Sequence, residues 1–221
     1  MKTLIAIPCL NMVHTDFMTS MLNLRKTKDT SYATSINCLI YDSRNGFAAS
    51  AITNGYDRVL WLDSDMVFQP DLLERLSADM DETGSEYVSA LYFTRRLPTK
   101  PVVYSRIDYE PGGDGIPAKA HAEPYWDYPK DTMFLCAGTG FGAVMTSTNL
   151  LKRIWDKYGE PFNPLPHMGE DLSFCYRAGQ MGYYLFCDSR VKVGHIGGMI
   201  FDEQTYTAQN KQPERAVTGS P

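Results

Sequence analysis

Arg58-Val59-Leu60-Trp61-Leu62-Asp63-Ser64-Asp65-Met66-Val67-Phe68 is the stretch on which the reading of this chain turns. Val59 to Leu62 is a short apolar run bounded by polar residues, the pattern of a fully buried strand. Two carboxylates one residue apart at the C-terminal tip of such a strand present hard oxygen ligands on an open face. They suit Mg²⁺ or Mn²⁺, ions that keep positions for water and substrate phosphates instead of being caged by protein. Asp63 and Asp65 are therefore candidate metal ligands, and the implied substrate bears phosphate. An isolated Asp-x-Asp also serves surface turns, where Asp bonds its own backbone. The position directly after a strand favours the metal.

Working outward, β-type runs alternate with helical patterns. Lys2–Ile7 reads as a first buried strand and Asp16–Arg25 as a helix. Asn37–Tyr41 reads as a second strand, Gly46–Asn54 as a second helix, and Arg58–Asp63 as the third strand. Pro70 at a first helical position, with Asp71 beside it, opens a third helix through Met80, and Glu86–Leu91 is a fourth strand. This order predicts an α/β fold with a mostly parallel sheet whose ligands lie outside the carboxyl ends of the strands. In the second half, Pro101–Ser105 reads as a strand and Arg106–Lys130 as a long aperiodic loop rich in Pro, Gly and aromatics. Its rings, Tyr125 and Trp126 among them, are read as an acceptor platform. Strands are expected at Thr132–Ala137, Phe141–Thr146, Tyr183–Cys187 and Val191–His195, with helices at Asn149–Tyr158 and Glu170–Met181. The polar stretch from Asp202 is read as a flexible arm or lid.

Composition narrows the partners. In 221 residues, 21 Lys+Arg against 26 Asp+Glu give a formal charge of −5, so no global basic field draws the chain to nucleic acid or an anionic membrane. No stretch approaches the ~20 apolar residues of a membrane span, and the N-terminal apolar run is short for a signal peptide. A soluble, cytoplasmic protein is expected, in the host cytoplasm if the source is viral. Five cysteines lie in apolar segments without Cys-x-x-Cys spacing, which predicts reduced core thiols.

Three further constellations bear on chemistry. In Asp42-Ser43-Arg44-Asn45, an Arg can meet a diphosphate with a bidentate fork and an Asp can accept from a nucleobase or ribose; the same residues also read as a helix N-cap. Gly169-Glu170-Asp171 opens a helix whose apolar face anchors it, so its acids either complement the helix dipole or present a rigid carboxylate that takes a proton from an attacking hydroxyl. His195, between Gly194 and Ile196-Gly197-Gly198, reads either as structural or as a ligand for Mn²⁺.

The joint order of Ile7-Pro8, Ser43-Arg44-Asn45 followed by Ala48, Ala49 and Ala51, Val59 to Asp65, Gly138-Thr139-Gly140-Phe141, Gly169-Glu170-Asp171 and Gly194-His195 resembles a compact GT-A-fold glycosyltransferase similar to family 2, of a kind common in bacteriophages. The resemblance implies a single GT-A-like, Rossmann-like domain over residues 1–201, with a small second sheet. A nucleotide-binding half would span 1–105 and an acceptor-binding half 106–201, with 202–221 as the tail. It implies Mn²⁺ or Mg²⁺ held mainly by Asp65, with Asp63 on the ribose or donor sugar and reaching the metal through water, and His195 completing the site. Asp171 matches the catalytic base of inverting members, and Glu170 stands beside it for acceptor or donor binding. Pro8, Asp42, Arg44 and Gly140 match the nucleotide-sugar pocket, with a UDP-sugar as the expected donor. The Gln-x-x-Arg-Trp motif of processive members is absent, which implies transfer of a single sugar. Retention replaces inversion if Asp171 lies too far from the anomeric carbon.

A nucleotidyltransferase would also use an Asp pair on an α/β sheet, but Pro8-Cys9-Leu10-Asn11-Met12 has neither the Gly nor the Lys of a phosphate loop. A non-catalytic sugar-binding module would need no such carboxylates. The acceptor stays open among a glycan, a protein and a modified DNA base, with Arg95, Arg96, Lys100 and Arg106 as a local basic cluster able to touch phosphate.

Overall fold

Residues 1–210 are described by a computed structural model of the chain. The path runs β1 (Thr3–Cys9), α1 (Thr15–Asn23), β2 (Thr30–Ile36), α2 (Ile40–Thr53), β3 (Arg58–Leu62), β4 (Met66–Val67), α3 (Leu72–Thr83) and β5 (Tyr87–Leu91). It continues through β6 (Val103–Glu110), β7 (Lys119–Pro124), β8 (Met133–Cys136), β9 (Gly138–Thr139), β10 (Ala143–Ser147) and α4 (Thr148–Tyr158). It closes with α5 (Glu170–Gln180), β11 (Leu185–Lys192), β12 (Gly194–Ile196), β13 (Ile200–Phe201) and α6 (Glu203–Asn210).

The apolar runs become the centre of a seven-stranded sheet of order β2-β1-β3-β10-β5-β11-β8. Strands β2, β1, β3, β5 and β11 are mutually parallel, whereas β10 and β8 run antiparallel to their neighbours. Strand alternation sends Ile5, Ile7, Leu60 and Leu62 to one face, where Leu72, Leu76 and Met80 of α3 cover them. Leu4, Ala6, Val59 and Trp61 go to the other, against Phe47 and Ala51 of α2, Leu151 of α4 and Phe174 of α5. Burial on both faces is why β1, β3 and β5 are nearly continuous apolar runs. Two small sheets, β13-β12-β4 and β7-β6-β9, lie at the carboxyl end of the strands or flank it.

Four expectations are corrected. The second strand is Thr30–Ile36, not Asn37–Tyr41. It is an edge strand paired only with β1, so its Ser- and Thr-rich composition needs no buried run. The apolar Cys38-Leu39-Ile40 instead bridges into α2, with Leu39 and Ile40 exposed. The region 106–130 is no structureless loop: β6 and β7 form an antiparallel hairpin pairing Ile107 with Ala122 and Tyr109 with Ala120. Of the tail, Glu203–Asn210 is helical and tied down: Gln209 accepts from the Thr99 amide at 2.7 Å and donates to the Thr99 carbonyl at 2.6 Å, and Tyr206 stacks on Phe93. Residues 211–221 lie outside the described residues. All five cysteines are free, but Cys38 is exposed and only Cys175 and Cys187 are fully buried. No helix among the described residues is long and apolar enough to cross a membrane.

Candidate active site

Arg44 organises the site. It sits in the first turns of α2, 3% exposed, over the Phe141 ring at 5.4 Å. Its Nη2 donates to Asp63 Oδ1 at 2.7 Å and its Nη1 donates to Glu170 Oε1. One guanidinium thus fastens the tip of β3 to the start of α5, two points 107 residues apart in the chain, read from Asp63 and Glu170. Arg44 Nε is buried without a partner. An aromatic cluster of Trp61, Phe141, Phe162 and Phe174 lies beneath, with ring centroids 4.8–5.9 Å apart for the touching pairs. It gives the charged triad a rigid, low-dielectric floor.

Asp65 faces the other way. Its Oδ2 lies 3.3 Å from His195 Nε2 and also accepts from Arg95, while its Oδ1 is buried with no partner. Burial acts to raise the Asp65 pKa, but the bond to His195 and the neighbouring positive charge outweigh it and hold the carboxyl below its ordinary value. His195 Nδ1 is 2.9 Å from the Phe93 carbonyl, an obligate acceptor, so Nδ1 carries a proton. Nε2 faces the Asp65 carboxylate, where it can donate a hydrogen bond when it carries a proton or share a cation with the carboxylate when it does not. The ring is braced edge-on against Tyr92, centroids 5.8 Å apart.

The two carboxylates of the Asp-x-Asp pair are therefore divided between partners, Asp63 to Arg44 and Asp65 to His195. No group of three His, Cys, Asp or Glu side chains among the described residues converges as a closed metal cage. The unpartnered Asp65 oxygen beside the His195 ring nitrogen fits an open divalent site in which substrate supplies further ligands. Asp63 carries a raised pKa, with burial as the main cause and the Asp65 charge adding to it against the opposing pull of Arg44.

Two clefts meet along Asp63 and Arg95. One, of about 490 Å³, is lined by Pro8, Ser43, Asp65 and the apolar Leu10, Met12 and Leu39. The other, of about 540 Å³, is lined by Arg44, Tyr92, Arg96, Glu170, Asp171 and His195. In it the two acids of α5 are distinguished. Glu170 is bound by Arg44, whereas the one hydrogen bond of the Asp171 side chain among the described residues is from the Leu172 amide to Oδ1, at 2.7 Å. Burial first, and the Glu170 charge second, push the Asp171 pKa up to about 6. A rigid carboxylate titrating near the working pH suits proton abstraction.

Not every expected residue reaches the clefts. Asp42 is exposed on α2 and lines neither. Gly140 is buried and lines neither; a Cβ there would lie 2.1 Å from Tyr92 Oη, so packing demands this glycine. Of the aromatic segment, Tyr128 is core, stacked on Phe134, and Tyr125 packs on Phe134, leaving Trp126 exposed. The contacts of Arg95 with Asp65 and of His195 with the Phe93 carbonyl and Tyr92 leave no signal in the sequence, because they join segments about 30 residues apart or more. Another perturbed carboxyl, Asp79, is raised to about 7 by burial and by Asp188 beside it. With Arg190 it braces α3 against β11 and lines neither cleft.

No protein-family model and no curated protein sequence matches this chain. Solved structures do. The crystal structure of A197 from STIV is similar with a TM-score of 0.62 at 19% identity, over 89% of this chain and 86% of that one. The crystal structure of GalNAc-T7 with UDP, GalNAc and Mn²⁺ is similar with a TM-score of 0.60 at 12% identity, over 89% of this chain. The fold is GT-A-like. The chain spans 44% of the length of that GalNAc-T7 structure, and at these identities the likeness is one of fold. Within the GT-A-like frame, the strand ends, the first turns of α2 and α5, and β12 meet around the two clefts.

Proposed function

We propose that the protein is a Mn²⁺- or Mg²⁺-dependent glycosyltransferase, similar to family 2, that moves one sugar from a UDP-sugar to an acceptor hydroxyl with inversion. The observation that carries this reading is the division of acids around Arg44. Asp65 with His195 offers an open cation site on one side, and Asp171, free of the Arg44 ion pairs and titrating near 6, stands on the other.

Asp65 and His195 would hold the ion, which when bound would neutralise charge on the departing diphosphate. Arg95, at the rim shared by both clefts, meets phosphate oxygens once it leaves Asp65. Leu10, Met12 and Leu39 supply an apolar surface for the nucleobase, with Pro8 and Ser43 behind them. Asp63, pinned through one oxygen by Arg44, presents the other to a ribose or sugar hydroxyl. Asp171 takes the proton from the acceptor hydroxyl. That oxygen bonds the anomeric carbon from the face opposite the diphosphate, whose C–O bond breaks with the electron pair going to the phosphate oxygen. Arg44 is a positioning residue that fixes the distance between donor and base. The family 2 likeness and a viral source rest on the sequence motifs; a glycan, a protein or a modified DNA base are the acceptor classes, and the working compartment is the cytoplasm.

Calorimetric titration of UDP-sugars with and without Mn²⁺ tests this. Binding should require the ion, disappear with EDTA, and be lost in Asp65→Asn. Ion-independent binding that survives Asp65→Asn would refute the site.

A further inference from the structure

We infer that a third cavity, a groove between the β6–β7 hairpin and α5, holds the non-reacting part of an oligosaccharide acceptor, an inference that rests on the transfer reading above. The groove encloses about 950 Å³, more than either cleft at the strand ends. Its lining includes Ile107, Ala120, Tyr109, Tyr176, His167 and Gln180.

Strand register explains how the hairpin comes to face α5. Ile107 pairs with Ala122 and Tyr109 with Ala120, so these four share one face of the two-stranded ribbon. Ile107 Cδ1 and Cys175 Cβ of α5 both crowd the site where Gly138 would carry a side chain, at 2.7 and 2.6 Å, which turns that face toward the helix. Farther out the elements diverge and their contact is ring to ring. Tyr109 meets Tyr176 edge-on at 5.6 Å, and the space beside them is the groove.

The groove and the reaction cleft have no lining residue in common, but both are bordered by α5 and by the chain running through β6. Helix α5 starts with Glu170 and Asp171 in the cleft and reaches Tyr176 five residues later, about 7.5 Å along its axis. On the opposite side Val102 lines the cleft and β6 runs on from it to Glu110 in the groove. A chain lying along this pair of elements is led toward Asp171.

The lining selects the class of occupant. Its charged groups are paired off, Arg106 with Asp108 at 2.7 Å and Lys119 with Glu110 at 3.6 Å. A polyphosphate backbone would meet no excess positive charge there, and nucleic acid binding depends on such an excess. What remains are two tyrosine rings interleaved with hydroxyl, imidazole and amide groups. Aromatic faces with a few placed polar groups suit a neutral, hydroxyl-rich chain. His167 is held at a φ of 64°, a left-handed conformation uncommon outside glycine.

The test is a glycan array probed with the labelled protein in EDTA, so that donor binding is silent. It is followed by calorimetry of the best-retained glycan at a longer and a shorter chain length. The longer chain should bind about tenfold more tightly, and Tyr109→Ala and Gln180→Ala should each remove most of that advantage. Circular dichroism of both variants confirms that they fold; if Tyr109→Ala does not, the exposed Gln180 decides. Retention of no glycan, affinity without chain-length dependence, or retention of single-stranded oligonucleotides instead would overturn the groove. Nucleotide-sugar binding with Mn²⁺, measured on the same protein, then separates the cases. If it persists, the groove alone has failed, and if it is absent, the transfer reading falls first and takes the acceptor inference with it.

Discussion

Asp171→Asn should make the protein more stable and nearly inactive at once. The carboxyl of Asp171 titrates at about 6 in the folded chain against an ordinary value of 3.8, because burial and the Glu170 charge oppose ionisation. A pKa raised by folding means that the folded state binds the proton more tightly than the unfolded one. Stability from this group is therefore complete below the unfolded pKa and is lost as pH rises through about 6. The gap of about two units, at 1.36 kcal/mol each, is about 3 kcal/mol at most at neutral pH, and the solvent reaching Asp171 through the cleft trims it. Asn is isosteric, cannot ionise, and can still accept from the Leu172 amide. In a domain of this size each 1 kcal/mol moves Tm by about 2–4 °C. Thermal melts of wild type and variant near pH 4.5 and near pH 8 should show a Tm advantage of several degrees for the variant at the higher pH, shrinking at the lower. In the same variant kcat for transfer should fall by roughly 10²–10⁴, and the rising limb of the wild-type pH–kcat profile near 6 should vanish. A Tm difference that does not change with pH would refute the burial argument. Near-wild-type transfer would refute the base.

Arg44→Met should cost about 3–5 kcal/mol in urea unfolding, because Asp63 and Glu170 are left as half-buried charges without their cation. Adding Glu170→Gln should return part of that loss. Gly140→Ala should destabilise by about 1–3 kcal/mol or more, since its methyl would stand 2.1 Å from Tyr92 Oη, and Tyr92→Phe in the same chain should recover some of it. Unchanged melting in Gly140→Ala would show that Tyr92 moves freely.

The Asp63–Asp65 pair, the helix start at Glu170 and the glycine-flanked His195 were legible because each is a local pattern, a run and its terminus, readable within about ten residues. The apolar cores of β1, β3, β5, α3, α4 and α5 were legible for the same reason, since strand and helix periods are set by neighbours in the chain. The β6–β7 hairpin was not. In β7, Lys119, His121 and Glu123 are exposed and the residues alternating with them are alanines, a pattern too weakly apolar to register as a strand. The edge strand β2 escaped because pairing on one side only imposes little apolar demand, while the exposed Cys38-Leu39-Ile40 run imitated a strand. Which face each functional group meets belonged to the tertiary structure alone. The motif marks Arg44 only as a candidate for phosphate, and its burial between Asp63 and Glu170, the turning of Asp65 toward His195, and the release of Asp171 from the Arg44 ion pairs all depend on contacts between residues 19 to 130 positions apart. Pairings of that kind arise only when the sheet brings its strand ends together, because electrostatic and hydrogen-bond energies act over a few ångströms of space and carry no trace in the spacing of the chain.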